Sequence, residues 1–118
     1  MSTAYPHQDK LELYKQIISA VPDVECKGLN NPYTSLNGHM FSFLTKTGGL
    51  ALRLPKVERD KFMDKFNTQN TEQYGTIMKE YVDVPDSLFK KTSEVQKYFI
   101  ISFEYVSSLK PRPAKKSK

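Results

Sequence analysis

The sequence has few of the residues on which covalent, redox or metal chemistry depends. Its 118 residues include a single cysteine, Cys26, two histidines, His7 and His39, and no tryptophan. A lone cysteine excludes an internal disulfide, and neither histidine has a second histidine or a cysteine at metal-ligand spacing. We therefore expect no disulfide, no bound metal and no cofactor.

Sequence signatures of catalysis are also missing. The chain has no GxGxxG, Walker-type or CxxC motif, and the adjacent glycines Gly48 and Gly49 suit a turn. The two histidines are too isolated to indicate a serine–histidine–acid site. A cysteine in a strand, as we expect for Cys26, is usually a buried and inert thiol. The pattern favours a protein without enzymatic activity.

No stretch is long and apolar enough to cross a membrane. The longest apolar run, YFIISF at residues 98–103, is far shorter than the roughly 20 residues that a spanning helix needs. The N-terminal segment MSTAYPHQDK has no apolar run after a positive charge, so it does not resemble a secretion signal. Together with the lone cysteine, these features predict a soluble, cytoplasmic protein without a membrane partner.

Positive charge is concentrated at the C-terminus. The net charge is +5, yet residues 110–118 hold five basic residues and no acid, which leaves 13 basic and 13 acidic residues in 1–109. The five are Lys110, Arg112, Lys115, Lys116 and Lys118. A short segment rich in proline and lysine buries no core, so we predict a folded domain over 1–109 and a disordered tail over 110–118. The tail has two interpretations, a solubilising end or a weak nucleic-acid contact.

The first half of the domain predicts one helix followed by antiparallel strands. Apolar residues recur with helical spacing over 7–21, and residues 23–28 alternate like a short strand. Residues 33–54 hold three extended runs, separated by Asn37-Gly38 and by Thr47-Gly48-Gly49, which accept the positive φ of hairpin turns. We predict a meander whose last strand places Leu50, Leu52 and Leu54 on the face that packs against helices.

A strand-to-helix corner follows the meander. Pro55 sits just ahead of a predicted helix over 56–66, where its missing N–H costs little. Arg53, Lys56 and Arg59 cluster at this corner. Ligands often bind where a strand gives way to a helix, but the change of periodicity is already explained by architecture, which we favour.

The second half predicts a loop, a strand and a long helix. Residues 67–75 have almost no apolar content and predict a loop, and residues 76–85 predict a strand. Met78, Val82 and Val84 are expected on one face of that strand, with Ile77 and Tyr81 on the other. A helical turn near 86–91 precedes a helix over 93–109 whose apolar arc covers about 200°, twice the usual stripe.

Several of these segments together resemble the TfoX N-terminal domain family. They are Gly38-x-Met40-Phe41, LALRLP at 50–55 with ERDKF after it, MKEYVDVP at 78–85, and the closing helix. The resemblance covers about residues 10–109 and identifies a single-domain member. It implies a two-layer α+β fold in α-β-β-β-α-β-β-α order, an antiparallel sheet of about five strands carrying helices, similar to type III secretion chaperones. It also implies a further strand near 69–76 and a small interaction module with a regulatory role.

One face of the predicted sheet is a candidate interaction surface. If the leucines of residues 50–54 face the helices, then Arg53, Lys79 and Tyr81 project from the opposite face. This face is either solvated, with cross-strand ion pairs, or it recognises an unidentified protein partner.

The last helix is a candidate dimer contact. Tyr98, Ile101 and Tyr105 lie at the edge of its wide apolar arc. A homodimer is a common way to cover such an arc, and the near-neutral charge of residues 1–109 does not oppose it. The alternative is that the first helix covers this edge within a monomer.

Overall fold

The computed structural model describes residues 5–28, 31–36, 38–73 and 75–109. In chain order its elements are α1 Gln8–Ile18, β1 Tyr33–Leu36, β2 His39–Leu44, β3 Leu50–Arg53, α2 Lys56–Phe66, β4 Asn70–Gln73, β5 Thr76–Val84, α3 Asp86–Phe89 and α4 Thr92–Ser107. The order is the expected one, with the short helix α3 at the predicted helical turn. The α+β fold class is therefore confirmed.

The five strands form one antiparallel sheet in the order β1-β2-β3-β5-β4. The meander of β1, β2 and β3 is confirmed, and its turns contain Gly38 and Gly48 at φ 84° and 91°. These angles are costly for residues with a Cβ, so the glycines permit the tight reversals. β5 then returns beside β3, which makes β1 and β4 the two edges.

The predicted strand at 23–28 is wrong. Only Lys27 in this segment pairs with the sheet, through one isolated bridge to Tyr33. Its backbone N–H donates to the Tyr33 carbonyl at 2.8 Å and its carbonyl accepts from the Tyr33 N–H at 2.9 Å. The next residue, Gly28, has φ 83°, which turns the chain away from extended geometry.

The predicted loop over 67–75 is also wrong in part, because Asn70–Gln73 form strand β4. The register of β4 on β5 is irregular between Asn70 and Thr71. There the Asn70 Nδ2 donates to the carbonyls of Lys79 and Tyr81, at 3.0 and 3.1 Å. A side-chain amide thus joins the two strands where the backbone ladder is interrupted. β4 is an edge strand, and it lacks the apolar alternation by which strands are recognised in a sequence.

The described helices pack on one face of the sheet and share the main core with it. β3 contributes Leu50 and Leu52, and Leu54 follows directly after it; all three are essentially without solvent exposure, as the alternation predicts. The largest helix side chains in this core are Tyr14 and Ile17 of α1, Phe62 of α2, Phe89 of α3 and Phe99 of α4. This layer holds most of the buried apolar surface that stabilises the fold.

A β-bulge in β2 reorients one aromatic residue into this core. Thr34 pairs with Ser42 and Ser35 with Met40, so Phe41 has no partner residue on β1. Phe41 therefore joins the helix side, and its ring centroid lies 5.4 Å from that of Phe99 on α4. The extra residue breaks the alternation that strand periodicity predicts.

A buried chain of hydroxyls joins α1 to the first two strands. The Tyr14 hydroxyl lies 2.6 Å from Ser42 Oγ, which lies 2.5 Å from Thr34 Oγ1. All three residues are fully buried. Burial raises the pKa of Tyr14 far above its ordinary range. Each hydroxyl has a hydrogen-bond partner inside the core, which offsets the free-energy cost of removing it from water.

Truncation of the central leucine tests the assignment of faces. Leu52→Ala removes a fully buried side chain, and we expect the free energy of unfolding to fall by about 2–5 kcal/mol. Lys56→Ala is the matched control at the same corner, because Lys56 is exposed and its one ion pair within the described ranges is with Asp60 on the helix surface. Urea unfolding measures both variants. A silent Leu52→Ala would contradict the packing of β3 against the helices.

Loss of the buried hydroxyl tests the polar chain. Tyr14→Phe leaves Ser42 with Thr34 alone, and we expect a loss of about 0.5–1.5 kcal/mol in the free energy of unfolding. Tyr98→Phe is the control. Tyr98 contacts Phe62 and Phe66 through its ring, and phenylalanine retains that ring. Equal stability of the wild type and Tyr14→Phe in urea would show that the chain contributes nothing to the fold.

Candidate interaction surface

The second face of the sheet carries a separate apolar cluster. Phe43, Ala51 and Tyr81 are buried at its centre, and the partly buried residues around them are Tyr33, Met40 and Met78. No helix in the described ranges contributes a residue to this cluster. We refer to the surface formed by these six residues as the helix-free face.

Tyr81 is a structural member of the helix-free face. It is 8% exposed, its ring centroid lies 5.3 Å from that of Phe43, and its hydroxyl donates to the Met40 carbonyl at 2.6 Å. Burial raises the pKa of Tyr81 to about 12, an effect that Arg53 opposes and Glu80 supports. Tyr81 therefore lies on the predicted face, with its hydroxyl already engaged inside the sheet.

Met78 lies on the face opposite to the predicted one. The alternation of β5 placed it with Val82 and Val84, but it packs in the cluster of Tyr81. Asn70 pairs with Val82 and Thr71 with Met78, so residues 79–81 are extra residues of β5 at this point. Such an irregularity shifts the alternation of side chains, and the sequence pattern alone does not reveal it.

Arg53 connects three elements at the end of β3. Its Nε lies 2.6 Å from Glu80 Oε1 on β5, and its guanidinium carbon lies 5.6 Å from the centre of the Tyr105 ring on α4. Nearby, the Arg59 Nη1 donates to the Leu54 carbonyl at 2.9 Å. These cations are used within the corner, which supports its architectural interpretation.

A shallow groove brings the three predicted surface residues together. It has a volume of about 290 Å³ and is lined by Arg53 and by residues 76–81, which include Lys79 and Tyr81. Ile77 also lines it and is 59% exposed. Ile77 is not among the predicted surface residues; an isoleucine among polar residues at the start of a strand is the sequence signal that indicates it.

The predicted dimer residues make contacts within the chain. The Tyr98 ring centroid lies 4.9 Å from that of Phe62 on α2, while Tyr105 contacts Arg53. Ile101 is partly buried against the main core. The wide arc of α4 thus serves the sheet and α2, and α1 packs on α4 as well. The homodimer stays a prediction.

Among the described residues, the remaining reactive side chains include Cys26 and His7. Cys26 lies half-buried in the irregular segment before Gly28, where burial raises the pKa of its thiol. His7 has its Nε2 2.8 Å from the Lys46 carbonyl oxygen. Among the residues that the structure describes, no group of three histidine, cysteine or acidic side chains is placed to hold a metal.

Two of the predictions concern the tail and the membrane. The tail cations Lys110, Arg112, Lys115, Lys116 and Lys118 lie outside the described residues. Within the described part of the chain, no helix has the length and apolar character to span a bilayer.

Comparisons with protein-family models, with curated proteins and with solved structures gave no significant match. The TfoX-like resemblance therefore stays a prediction that depends on residue pattern alone.

The buried hydroxyl of Tyr81 predicts an alkaline loss of stability. In the unfolded chain a tyrosine ionises near a pKa of about 10, whereas the folded chain raises the pKa of Tyr81 to about 12. The unfolded state loses its proton first, so stability is fully present below the lower pKa and falls as the pH rises through the higher one. We expect Tyr81→Phe to flatten this decline in urea unfolding between those pH values.

Tyr98→Phe is the control for this measurement and should keep the full decline. The decline has a second source in the buried Tyr14 hydroxyl, which is present in both variants. Identical alkaline slopes for the wild type and Tyr81→Phe would contradict the burial of the Tyr81 hydroxyl.

Proposed function

We propose that this chain is a small, non-enzymatic interaction module that binds a partner protein through the helix-free face. The observation that carries the proposal is the apolar cluster around Phe43, Ala51 and Tyr81, which no described helix covers. One-sided antiparallel sheets usually present polar residues on the face opposite their helices. The partly buried Tyr33, Met40 and Met78 around this centre leave apolar area on that face, which is the kind of surface that partner proteins cover.

The composition of the face supports this proposal. Tyrosine, phenylalanine, methionine and arginine are enriched at protein interfaces. Here Tyr33, Met40 and Met78 surround the buried centre, and Arg53 and Lys79 line the groove beside it. An apolar centre with a charged margin is the usual anatomy of a specific protein–protein contact.

We propose that the module acts in the cytoplasm. Its role would be regulatory, as the TfoX-like resemblance implies. A single cysteine without a disulfide partner suits a reducing compartment. The domain would comprise residues 1–109, with the basic tail at 110–118 as a separate segment. Nucleic-acid association through the tail is the alternative function, and a homodimer through Tyr98, Ile101 and Tyr105 is the proposed oligomeric state.

Site-specific crosslinking in the native host tests the proposed face. A photoreactive amino acid replaces Met40 or Met78 on the helix-free face, or Val57 on α2 as a control that is 62% exposed. We expect one partner protein to crosslink at both methionine positions and not at Val57. Its purified form should bind Met78→Glu at least about tenfold more weakly, since a charge in an apolar contact is costly, while Val57→Glu binds normally.

Crosslinks that form at Val57 but at neither methionine would overturn this assignment. Circular dichroism of Met78→Glu ensures that the loss of binding does not follow from unfolding.

Two further measurements separate the alternatives. Binding to duplex DNA that is lost at physiological salt and on removal of residues 110–118 would limit the tail to nonspecific contact. Sedimentation tests the homodimer: we expect a mass near twice the 13.6 kDa of the chain, reduced to one chain by Ile101→Glu. A single 13.6 kDa species in both proteins would contradict it.

A further inference from the structure

Strand β5 extends beyond the end of β3, the strand that pairs with it on the side away from β4. The register of β3 on β5 runs from Leu50↔Val84 to Arg53↔Tyr81. The last backbone bond between them goes from the Leu54 N–H to the Glu80 carbonyl, at 3.0 Å. Pro55 then directs the chain into α2. On this side of residues 76–79, no strand lies alongside in the part of the chain that the structure describes.

The hydrogen-bonding pattern exposes backbone groups at this edge. On its other side, β5 pairs Thr76 with Gln73, Ile77 with Glu72 and Met78 with Thr71. In a tight antiparallel hairpin the residues that flank the turn exchange hydrogen bonds, and the next residue directs its N–H and carbonyl outward. The backbone of Ile77 therefore points towards the open side, in line with β3.

The side chains around this edge favour a particular chemistry. The groove beside Arg53 is lined by residues 76–81, and the exposed Ile77 gives it an apolar margin. Arg53 is balanced by its ion pair with Glu80. Lys79 is exposed and has no ion-pair partner within residues 5–28, 31–36, 38–73 and 75–109. The lining thus has one excess positive charge.

We propose that the open edge of β5 at residues 76–79 receives an extended, acidic segment of a partner protein as an added strand. This inference depends on the proposed function and names the chemical class of the partner. Strand addition uses main-chain hydrogen bonds for affinity and side-chain contacts for selectivity. Ile77 supplies the backbone groups and an apolar contact, while Lys79 selects for a carboxylate.

Other occupants fit this edge less well. A second copy of the chain would bring two Lys79 side chains together, and like charges on paired strands are destabilising. The tail of residues 110–118 has five cations and no acid, so it is repelled by the excess charge of the groove. A lysine at an open edge can also serve to block the pairing of further strands. If that is the role of Lys79, no peptide binds to this edge.

Peptide binding, followed by NMR of the full chain, tests the inference. The probe is a blocked ten-residue peptide of alternating valine and glutamate. We expect it to shift the backbone amides of residues 76–80 and to bind at millimolar or lower concentration. A version with prolines at alternate positions lacks the N–H donors at those positions and should bind at least about tenfold more weakly. A version with lysine in place of glutamate should also bind more weakly.

A charge exchange adds a test on the protein side. Lys79→Glu should weaken binding of the glutamate peptide by about threefold or more and reverse the preference towards the lysine peptide. Lys61→Glu, at an exposed position of α2, is the matched control and should leave the preference unchanged.

Each outcome decides the inference. Absence of binding at millimolar peptide, equal binding of the proline version, or shifts confined to other residues would overturn it. The failure of the proposed function is recognised separately, because the crosslinks at Met40 and Met78 do not require an added strand. Dimerisation of the chain through residues 76–79, seen as concentration-dependent shifts without peptide, would also contradict a peptide partner.

Discussion

The central strand β3 is buried on both of its faces, and the rest of the structure depends on this constraint. Leu50 and Leu52 require a layer of helices on one side. Ala51, on the other side, has no solvent exposure either, although no described helix covers it. Its small side chain leaves room for Phe43 and Tyr81, whose ring centroids lie 5.3 Å apart. Phe43 and Tyr81 thus cover Ala51 on the second face, and the partly buried Tyr33, Met40 and Met78 leave apolar area where a solvated sheet would be polar.

The strand-to-helix corner determines where the groove lies. Pro55 ends the pairing of β3 and begins the path into α2, while β5 continues for nine residues in all, from Thr76 to Val84. This difference in length creates both the groove and its open backbone edge. Arg53, at the end of the shorter strand, is held by Glu80 and Tyr105. The cation at the corner therefore stabilises the margin of the groove, whereas Lys79 is exposed and makes no ion pair within the described ranges.

Much of the fold follows from local patterns, and the exceptions have specific physical causes. The leucine alternation of β3 and the turn glycines Gly38 and Gly48 predict the meander because each depends on neighbouring residues alone. The bulge at Phe41 and the irregular register near Met78 depend on partner strands, so alternation assigns Met78 to the wrong face. Periodicity does not predict β4, which only the family resemblance implies, because an edge strand of polar residues has no apolar face to reveal it.

The candidate site likewise combines features that depend on neighbouring residues with features that depend on partner strands. Alternation predicts Arg53, Lys79 and Tyr81 on one face, and in the structure all three line one groove, although the register of β5 is irregular at residues 79–81 and Arg53 also contacts Tyr105 on α4. The burial of Tyr81 and the exposure of Ile77 depend on where β3 ends relative to β5, which no single segment encodes. The wide apolar arc of α4 correctly indicated more than one contact, but α1 and α2 supply contacts within the chain.

Methyl NMR of labelled methionines, recorded with and without the crosslinked partner, tests most directly whether the helix-free face is the binding surface. Met40 and Met78 lie on that face, whereas Met63 lies on α2 and packs against the main core. We expect partner binding to shift the methyl signals of Met40 and Met78 and to leave that of Met63 in place. A shift of Met63 with unchanged signals from Met40 and Met78 would contradict it.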